Sequence, residues 1–222
     1  MEKLLHIEIN VLIFFDIASY FNPQEFEGGE TMNKNLLIVG AGIYSMVARD
    51  IAKEMNCFEK IDFVDDEKEQ TPDGNKVIGK ISDLEKLSVE YSNIIIAIGN
   101  PKVRLSLIKR ITEEMPYSVV VLASPRAYIA PSVQIGKGSV IEPMAVIHAG
   151  SVLQEGCFIS AGAVVNHGSM CSSGVHVDCN AVVAGGTLVP ACTKVESCTV
   201  FRKEKIDIND LFLNEFESHF NK

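Results

Sequence analysis

The chain has 222 residues, of which 47% are hydrophobic and 22% charged, and its formal net charge is −9. This length is enough for one large core or two small ones, and the acidic balance argues against a nucleic-acid partner, which would need a basic surface. The best apolar run, from Val11 to Ala18, contains Asp16 and is too short to span a bilayer. We find no secretory leader pattern and therefore expect a cytoplasmic protein without membrane insertion, with its six cysteines as free thiols.

Residues 1–32 are predicted to be an N-terminal extension of unknown role, and residues 33–123 a first domain. Four apolar runs in this domain predict buried parallel strands, at Leu36–Val39, Ile61–Val64, Ile94–Ala97 and Val119–Leu122. Helical spacing predicts helices over Tyr44–Met55, Asp83–Leu87 and Val103–Met115. This alternation is typical of a small doubly wound α/β domain, and its length, half that of a full dinucleotide-binding fold, favours a mononucleotide.

Small and acidic residues follow the first three predicted strands. The segment Gly40–Ser45 leads from the first strand into a helix, whose free N–H groups and dipole attract phosphate, although Ser45 stands where GxGxxG has its last glycine. Acidic residues end the second strand, and ligands of open α/β sheets collect at this edge. Ordinary loop chemistry is the alternative. The predicted nucleotide contacts at this edge are Gly42, Ile43, Tyr44, Asp65, Asp66, Gly99 and Asn100.

A six-residue repeat occupies the second predicted domain, residues 124–203. An aliphatic residue recurs at this period from Ile129 to Val195, with Cys171 in one slot; a small or β-branched residue precedes it by two positions, and glycine often follows by three. Short strands with two inward side chains and glycine corners are typical of a parallel β-helix. Its nearly uncharged flanks favour packing against copies of the same chain. Residues 204–222 are predicted to form a packing or capping helix.

From Asn33 to about Lys203 the chain resembles the sugar O- and N-acetyltransferases that join a small Rossmann-like domain to a left-handed hexapeptide β-helix. This family includes sialic acid O-acetyltransferases and UDP-4-amino-sugar N-acetyltransferases of bacterial glycan synthesis. The matching residues are Gly40–Gly42, Phe63–Asp66, Ile96–Asn100, Ala130–Ser132 and Ala163–His167. The resemblance implies a homotrimer, a nucleotide-linked sugar as acceptor, acetyl-CoA as acyl donor and no metal.

The same resemblance implies that His167 is the catalytic base. His167 falls near a corner of the repeat, and an imidazole titrates near neutrality, so it can take a proton from an amine or hydroxyl that attacks a thioester. The resemblance also makes His176 and Gly185 contacts of acetyl-CoA; a solvated side chain and simple corner geometry are the respective alternatives. His148 matches nothing in the family pattern and is predicted to be a surface residue.

Two features depart from the family pattern. Gly168 follows His167 where the family usually has Glu or Asp, so either another carboxylate (Glu142 or Asp178, from the same chain or across a subunit boundary) orients the ring or the base is weaker. The chain also has fewer six-residue repeats after His167 than the family members, by about one coil. Because the late coils of such enzymes hold the CoA tail, the acyl-donor site is left open to question. The alternatives are therefore a sialic acid O-acetyltransferase, a catalytically inactive sugar-nucleotide-binding relative, and a zinc hydratase on the same type of β-helix. The last of these needs three suitably spaced histidines, and His148, His167 and His176 do not have that spacing.

Overall fold

A computed structural model describes residues 33–202, so the predicted extension and the predicted terminal helix lie outside the described residues. The first part of the chain folds as alternating strands and helices. The elements are β1 (Asn35–Val39), α1 (Ile43–Met55), β2 (Lys60–Val64), β3 (Val77–Gly79), a 3₁₀ turn (Ile81–Asp83) that continues into α2 (Leu84–Leu87), β4 (Asn93–Ile96), α3 (Pro101–Glu114) and β5 (Ser118–Val119).

These five strands form a parallel sheet in the order β3-β2-β1-β4-β5. The order reverses between β1 and β4, and ligands of such sheets bind at the carboxyl ends of the strands beside this switch point. The loops that begin at Gly40 and at Ala97 leave the sheet there, because they follow β1 and β4 directly. Helix α1 packs its small and aliphatic side chains, including Ala48 and Ile51, against one face of the sheet.

The fourth predicted strand is divided between two sheets. Ser118–Val119 pairs with β4, whereas Leu122–Ala123 pairs with the first rungs of the following domain. The prediction of one strand over Val119–Leu122 is therefore wrong, because the backbone changes its pairing partner within this segment. The Val120 N–H donates to the Ile94 carbonyl, whereas the Leu122 N–H donates to the Ser139 carbonyl. The sequence analysis also missed β3, a short edge strand without a long apolar run.

The remainder of the described chain is a parallel β-helix of two-residue strands. They are β6 (Leu122–Ala123), β7 (Tyr128–Ile129), β8 (Gln134–Ile135), β9 (Val140–Ile141), β10 (Val146–Ile147), β11 (Val152–Leu153), β12 (Phe158–Ile159), β13 (Val164–Val165), β14 (Met170–Cys171), β15 (His176–Val177), β16 (Val182–Val183), β17 (Leu188–Val189), β18 (Lys194–Val195) and β19 (Val200–Phe201). Every third strand joins the same sheet. Face 1 contains β6, β9, β12, β15 and β18; face 2 contains β7, β10, β13, β16 and β19; face 3 contains β8, β11, β14 and β17.

The predicted inward positions form the core of this prism. Aliphatic residues such as Ile147 and Val165, and small residues such as Ala145 and Ala163, have no exposed surface. Glycine corners such as Gly150, at φ +68°, supply the left-handed turn between faces. The six-residue repeat and its two inward series are thus confirmed, and the β-helix forms a long narrow core that carries the corner loops.

The first domain docks on face 1. The outward side chains of Leu122, Val140 and Phe158 pack in one core with α1. The Phe158 ring stacks against the Tyr44 ring at 4.2 Å between centroids, and the guanidinium carbon of Arg104 lies 3.8 Å from the Phe158 centroid. Faces 2 and 3 receive no such cover from the described residues.

None of the helices in residues 33–202 has the length and apolar character of a membrane span.

Candidate active site

His167 lies in the turn between β13 and β14, at the edge that separates face 2 from face 3. The turn is held by main-chain hydrogen bonds to the coils on either side. The Gly168 N–H donates to the Ala149 carbonyl oxygen at 3.0 Å, and the Gly186 N–H donates to the His167 carbonyl oxygen at 3.0 Å. The imidazole itself is exposed. The stacked turns therefore fix the backbone of His167 and leave its ring open to a ligand.

Asn166 contacts the His167 ring. Its Oδ1 accepts the His167 backbone N–H at 2.8 Å and lies 2.8 Å from His167 Nδ1. The two acids proposed from the sequence do not contact the ring within the chain, because Glu142 accepts the Ala161 N–H at 3.1 Å and Asp178 pairs with Lys194 at 3.0 Å. Within one chain the expectation that one of these carboxylates orients His167 is wrong; a neutral amide occupies that position.

Gly185 lies one coil above His167 in the same edge. A Cβ on Gly185 would meet His167 Cε1 at 3.0 Å and Nε2 at 3.1 Å, closer than most side-chain contacts. The missing side chain therefore gives the imidazole room to lie against the Gly185 backbone. Sequence analysis predicted Gly185 as a contact of acetyl-CoA, and the structure adds a steric reason for glycine at this position.

His176 lies on face 1, whereas His167 lies at the edge between the other two faces, so the chain does not bring the two histidines together. The His176 ring is half-buried, packs edge-on against Phe158 at 6.1 Å between centroids and has Nε2 2.9 Å from Ser160 Oγ. Burial lowers the pKa of His176 from its ordinary value, which favours a neutral imidazole near pH 7. Its contact with acetyl-CoA stays a prediction.

The loop after β1 has the form of an anion-binding turn. Gly40, at φ +105°, turns the chain, and a Cβ there would lie 3.2 Å from Ala97 O. Gly42 precedes the first residue of α1 without a side-chain cap, and no acidic residue lies in the first turn of the helix. The amino end of α1 therefore offers N–H groups and a positive helix-dipole end at the sheet edge.

Asp65 holds this loop to the loop after β2. Its carboxylate accepts the Ala41 N–H at 2.7 Å and the Glu67 and Lys68 N–H groups at 2.9 Å each. Burial alone would raise the pKa of Asp65, but the hydrogen bonds from these N–H groups lower this pKa below its ordinary value. Asp65 is thus already engaged by the backbone.

Lys68 is a site residue that the sequence analysis missed. Its Nζ lies 3.4 Å from Ala41 O and 3.7 Å from the position of a Cβ on Gly42. A cation beside the amino end of α1 strengthens the attraction for phosphate. The signal was its place two residues after Asp66, in the loop that the sheet topology brings to Gly42.

The other predicted nucleotide-sugar contacts divide between open and engaged positions. Ile43 is 71% exposed, and a Cβ on Gly99 would meet nothing within 4 Å. Asp66 accepts the Ile81 N–H at 2.9 Å, and Asn100 caps α3 by accepting the Lys102 and Val103 N–H groups at 3.0 and 3.3 Å. The structure thus gives Asp66 and Asn100 local structural roles beside the predicted ones.

Tyr44 faces the β-helix, not the open edge of the sheet. Its ring stacks on Phe158 and its hydroxyl is buried without a hydrogen-bond partner. Burial, and then the negative charge of Glu142, raise the pKa of Tyr44 well above its ordinary value. The Tyr44 side chain therefore serves domain docking, and a ligand contact of this residue stays a prediction.

Among residues 33–202, no three His, Cys, Asp or Glu side chains are grouped as metal ligands.

Comparisons with known proteins agree with this architecture. The sequence profile of the PglD N-terminal domain matches residues 35–111, and no curated protein matches the chain. The acetyltransferase domain of PglB from Neisseria gonorrhoeae FA1090, solved with acetyl coenzyme A, is 30% identical with a TM-score of 0.73, over 77% of this chain and 83% of that chain.

Two further solved structures share the fold at lower identity. A variant of perosamine N-acetyltransferase from Caulobacter crescentus, solved with CoA and GDP-perosamine, is 20% identical with a TM-score of 0.51, over 75% of this chain and 90% of that chain. WeeI from Acinetobacter baumannii AYE is 18% identical with a TM-score of 0.51, over 78% of this chain and 93% of that chain.

Proposed function

Because the chain belongs to the sugar acetyltransferases that carry a left-handed hexapeptide β-helix, we propose that it transfers an acetyl group from acetyl-CoA to the amino group of a nucleotide-linked sugar. The observation that carries this proposal is the geometry at His167, whose exposed ring is held by Asn166 and lies against the bare backbone of Gly185. We place the reaction in bacterial surface glycan synthesis.

His167 acts as general base in this reaction. Its Nε2 takes the proton that the acceptor amine loses as the amine attacks the thioester carbonyl. The new C–N bond forms, the C–S bond breaks, and the imidazolium returns the proton to the departing CoA sulfur. The thiol leaves, and the neutral imidazole is restored for the next turnover.

Acetyl-CoA binds along the edge of the β-helix that carries His167. At Gly185 the bare backbone lets the pantetheine arm approach the imidazole closely. His176 lies on face 1, away from this edge, and is therefore not part of the donor site that we place here. The supporting relative is the PglB domain solved with acetyl coenzyme A, at 30% identity.

The nucleotide-linked sugar binds at the carboxyl edge of the parallel sheet. Its phosphates lie at the amino end of α1, where Gly42 leaves room and Lys68 Nζ supplies a positive charge. Asp66, Gly99 and Asn100 surround the remaining part of the same edge. This placement follows from the switch point between β1 and β4.

The function is tested with the full chain, acetyl-CoA and two acceptors offered side by side. We expect release of the CoA thiol, measured with a thiol reagent, when a UDP-4-amino sugar is the acceptor, and background release when sialic acid replaces it. Release with the hydroxyl acceptor alone would identify an O-acetyltransferase instead. Calorimetry that detects UDP-sugar binding but no acetyl-CoA binding would identify a catalytically inactive relative.

We also propose that the chain is a homotrimer whose copies pack through faces 2 and 3. The outward side chains of these faces form apolar columns along the strand register. On face 2 they are Tyr128, Val146, Val164, Val182 and Val200, and on face 3 Val152, Met170 and Leu188 follow Gln134. His167 lies at the edge between the two faces and would therefore border a neighbouring copy.

Light scattering should give wild-type protein three times the mass of one chain. Val164→Glu places a carboxylate in the middle of the face 2 column, where burial against a second copy leaves the charge without a partner, so we expect the mass of one chain. Ser106→Glu, on the exposed side of α3, is the matched control and should keep the wild-type mass. A wild-type mass equal to one chain would overturn the proposal.

A further inference from the structure

Two hydrogen bonds to the same atom determine the state of the His167 ring. Asn166 Oδ1 is 2.8 Å from the His167 backbone nitrogen and 2.8 Å from His167 Nδ1. A backbone N–H can only donate, so the Asn166 atom that it reaches must be the carbonyl oxygen and not the amide nitrogen. That oxygen has no proton to give, and Nδ1 must therefore carry the proton of this bond.

A neutral imidazole with its proton on Nδ1 has its free lone pair on Nε2. Nε2 lies beside the Gly185 backbone, in a ring that is exposed. The hydrogen bond from Nδ1 thus selects the tautomer whose basic atom is Nε2, and the exposure of the ring lets a ligand reach it.

No acid shares this task within the described part of the chain. The turns stacked directly below and above His167, residues 148–151 and 184–187, contain one titratable group, His148, and no carboxylate. Gly168, the next residue, has no side chain. Asn166 itself is uncharged, so it selects the tautomer without a negative charge that would stabilise the imidazolium.

The geometry points to Asn166 as a positioning residue of the acetyltransferase reaction, which holds His167 in the Nδ1–H tautomer and aims Nε2 at the acceptor. This inference rests on the proposed function, in which His167 is the base. Asn166 does not touch the reacting atoms; it acts through the ring. The backbone of Asn166 is held by hydrogen bonds that do not involve its side chain. Its N–H donates to the Val183 carbonyl, and its own carbonyl accepts the Ser151 hydroxyl.

Three variants of the full chain separate this role from a purely structural one. Asn166→Ala should lower kcat about tenfold with little change in either KM, because the ring is no longer held in one tautomer. Asn166→Asp keeps an acceptor oxygen and should restore most of kcat. The added negative charge stabilises the imidazolium, so the acid limb of the pH–rate profile should move to higher pH by about one unit. Ser132→Ala removes the comparable bond from Gly150 N–H at another turn of the same edge and should leave the rate and profile unchanged.

The tautomer is measured directly by long-range ¹H–¹⁵N spectra of labelled protein, with the His167 signals assigned by their loss in His167→Ala. Wild-type protein should show a protonated Nδ1, and Asn166→Ala a mixture of both tautomers. An Nε2–H tautomer in the wild type, or an unchanged rate and profile in both Asn166 variants, would overturn the inference. The proposed function fails separately, if no acceptor yields CoA release or if His167→Ala keeps its turnover.

Discussion

Replacing His167 with alanine should lower kcat about 10²–10⁴-fold, which is the usual contribution of a positioned general base. The imidazole is exposed and, among residues 33–202, its ring bonds only Asn166, so its removal should leave the fold and the affinity for acetyl-CoA largely unchanged. Steady-state rates of CoA thiol release, with KM determined for both substrates, measure the effect. A loss confined to kcat would indicate an interaction made in the transition state.

His148→Ala is the matched control for this variant. His148 is also an exposed histidine in the edge between faces 2 and 3, in the coil below, where its ring lies edge-on to Tyr128 at 6.5 Å between centroids. We expect wild-type kcat for this variant. If His167→Ala kept half or more of the wild-type turnover, or if both histidine variants lost activity equally, His167 would not be the base.

The β-helix could be predicted almost completely because each side chain in it meets an environment that repeats every coil. Ile147 and Ala145 face inward since strand geometry alternates sides, and glycine at Gly150 marks the corner that follows. Cys192 and Cys198 occupy the same corner position of the repeat, where both have φ +57°. Local sequence decides these positions, so three superposed periodic series were sufficient.

The contacts around the site were harder to predict because they join residues far apart in sequence. Gly185 meets His167 only after one complete coil has formed, and Tyr44 meets Phe158 only after the two domains have docked. No local pattern encodes either contact. Asn166 was within reach, since Asn side chains commonly bond nearby backbone N–H groups and this one directly precedes the histidine.

Arg104→Met should destabilise the protein by about 3 kcal/mol, the largest stability effect that we expect from a single side chain here. The Arg104 side chain is fully buried although it carries a charge. Helical spacing places it on the same inward side of α3 as Ile108 and Ile111, both also buried. Burial lowers the pKa of Arg104 from its ordinary value, and among the described residues the guanidinium is compensated by hydrogen bonds to carbonyl groups and not by a carboxylate.

Those hydrogen bonds join the two domains. Nε donates to Gly156 O at 2.9 Å and an Nη to Gly174 O at 3.2 Å, both at corners of the β-helix. The other Nη donates to Ile98 O at 2.7 Å and Gly99 O at 3.1 Å, in the loop after β4 where we place the nucleotide-linked sugar. Methionine fills a similar volume but leaves these carbonyl groups without a donor.

We therefore expect Arg104→Met to change acceptor binding as well as stability. With the Ile98–Gly99 loop released from the β-helix, KM for the nucleotide-linked sugar should rise about tenfold, whereas KM for acetyl-CoA should stay near its wild-type value. Arg104→Lys keeps a charge and can reach some of the same carbonyl groups, so it should fall between the wild type and Arg104→Met in both measurements.

Arg110→Met is the matched control, because it makes the same substitution on the same helix at an exposed position. In the part of the chain that the structure describes, Arg110 pairs with Glu114 alone, at 3.7 Å across one turn, and its loss should change the unfolding free energy by less than about 0.5 kcal/mol. Urea unfolding at one fixed protein concentration compares the two variants, since assembly contributes to stability. Equal midpoints for Arg104→Met and Arg110→Met would show that the buried guanidinium does not hold the domains together.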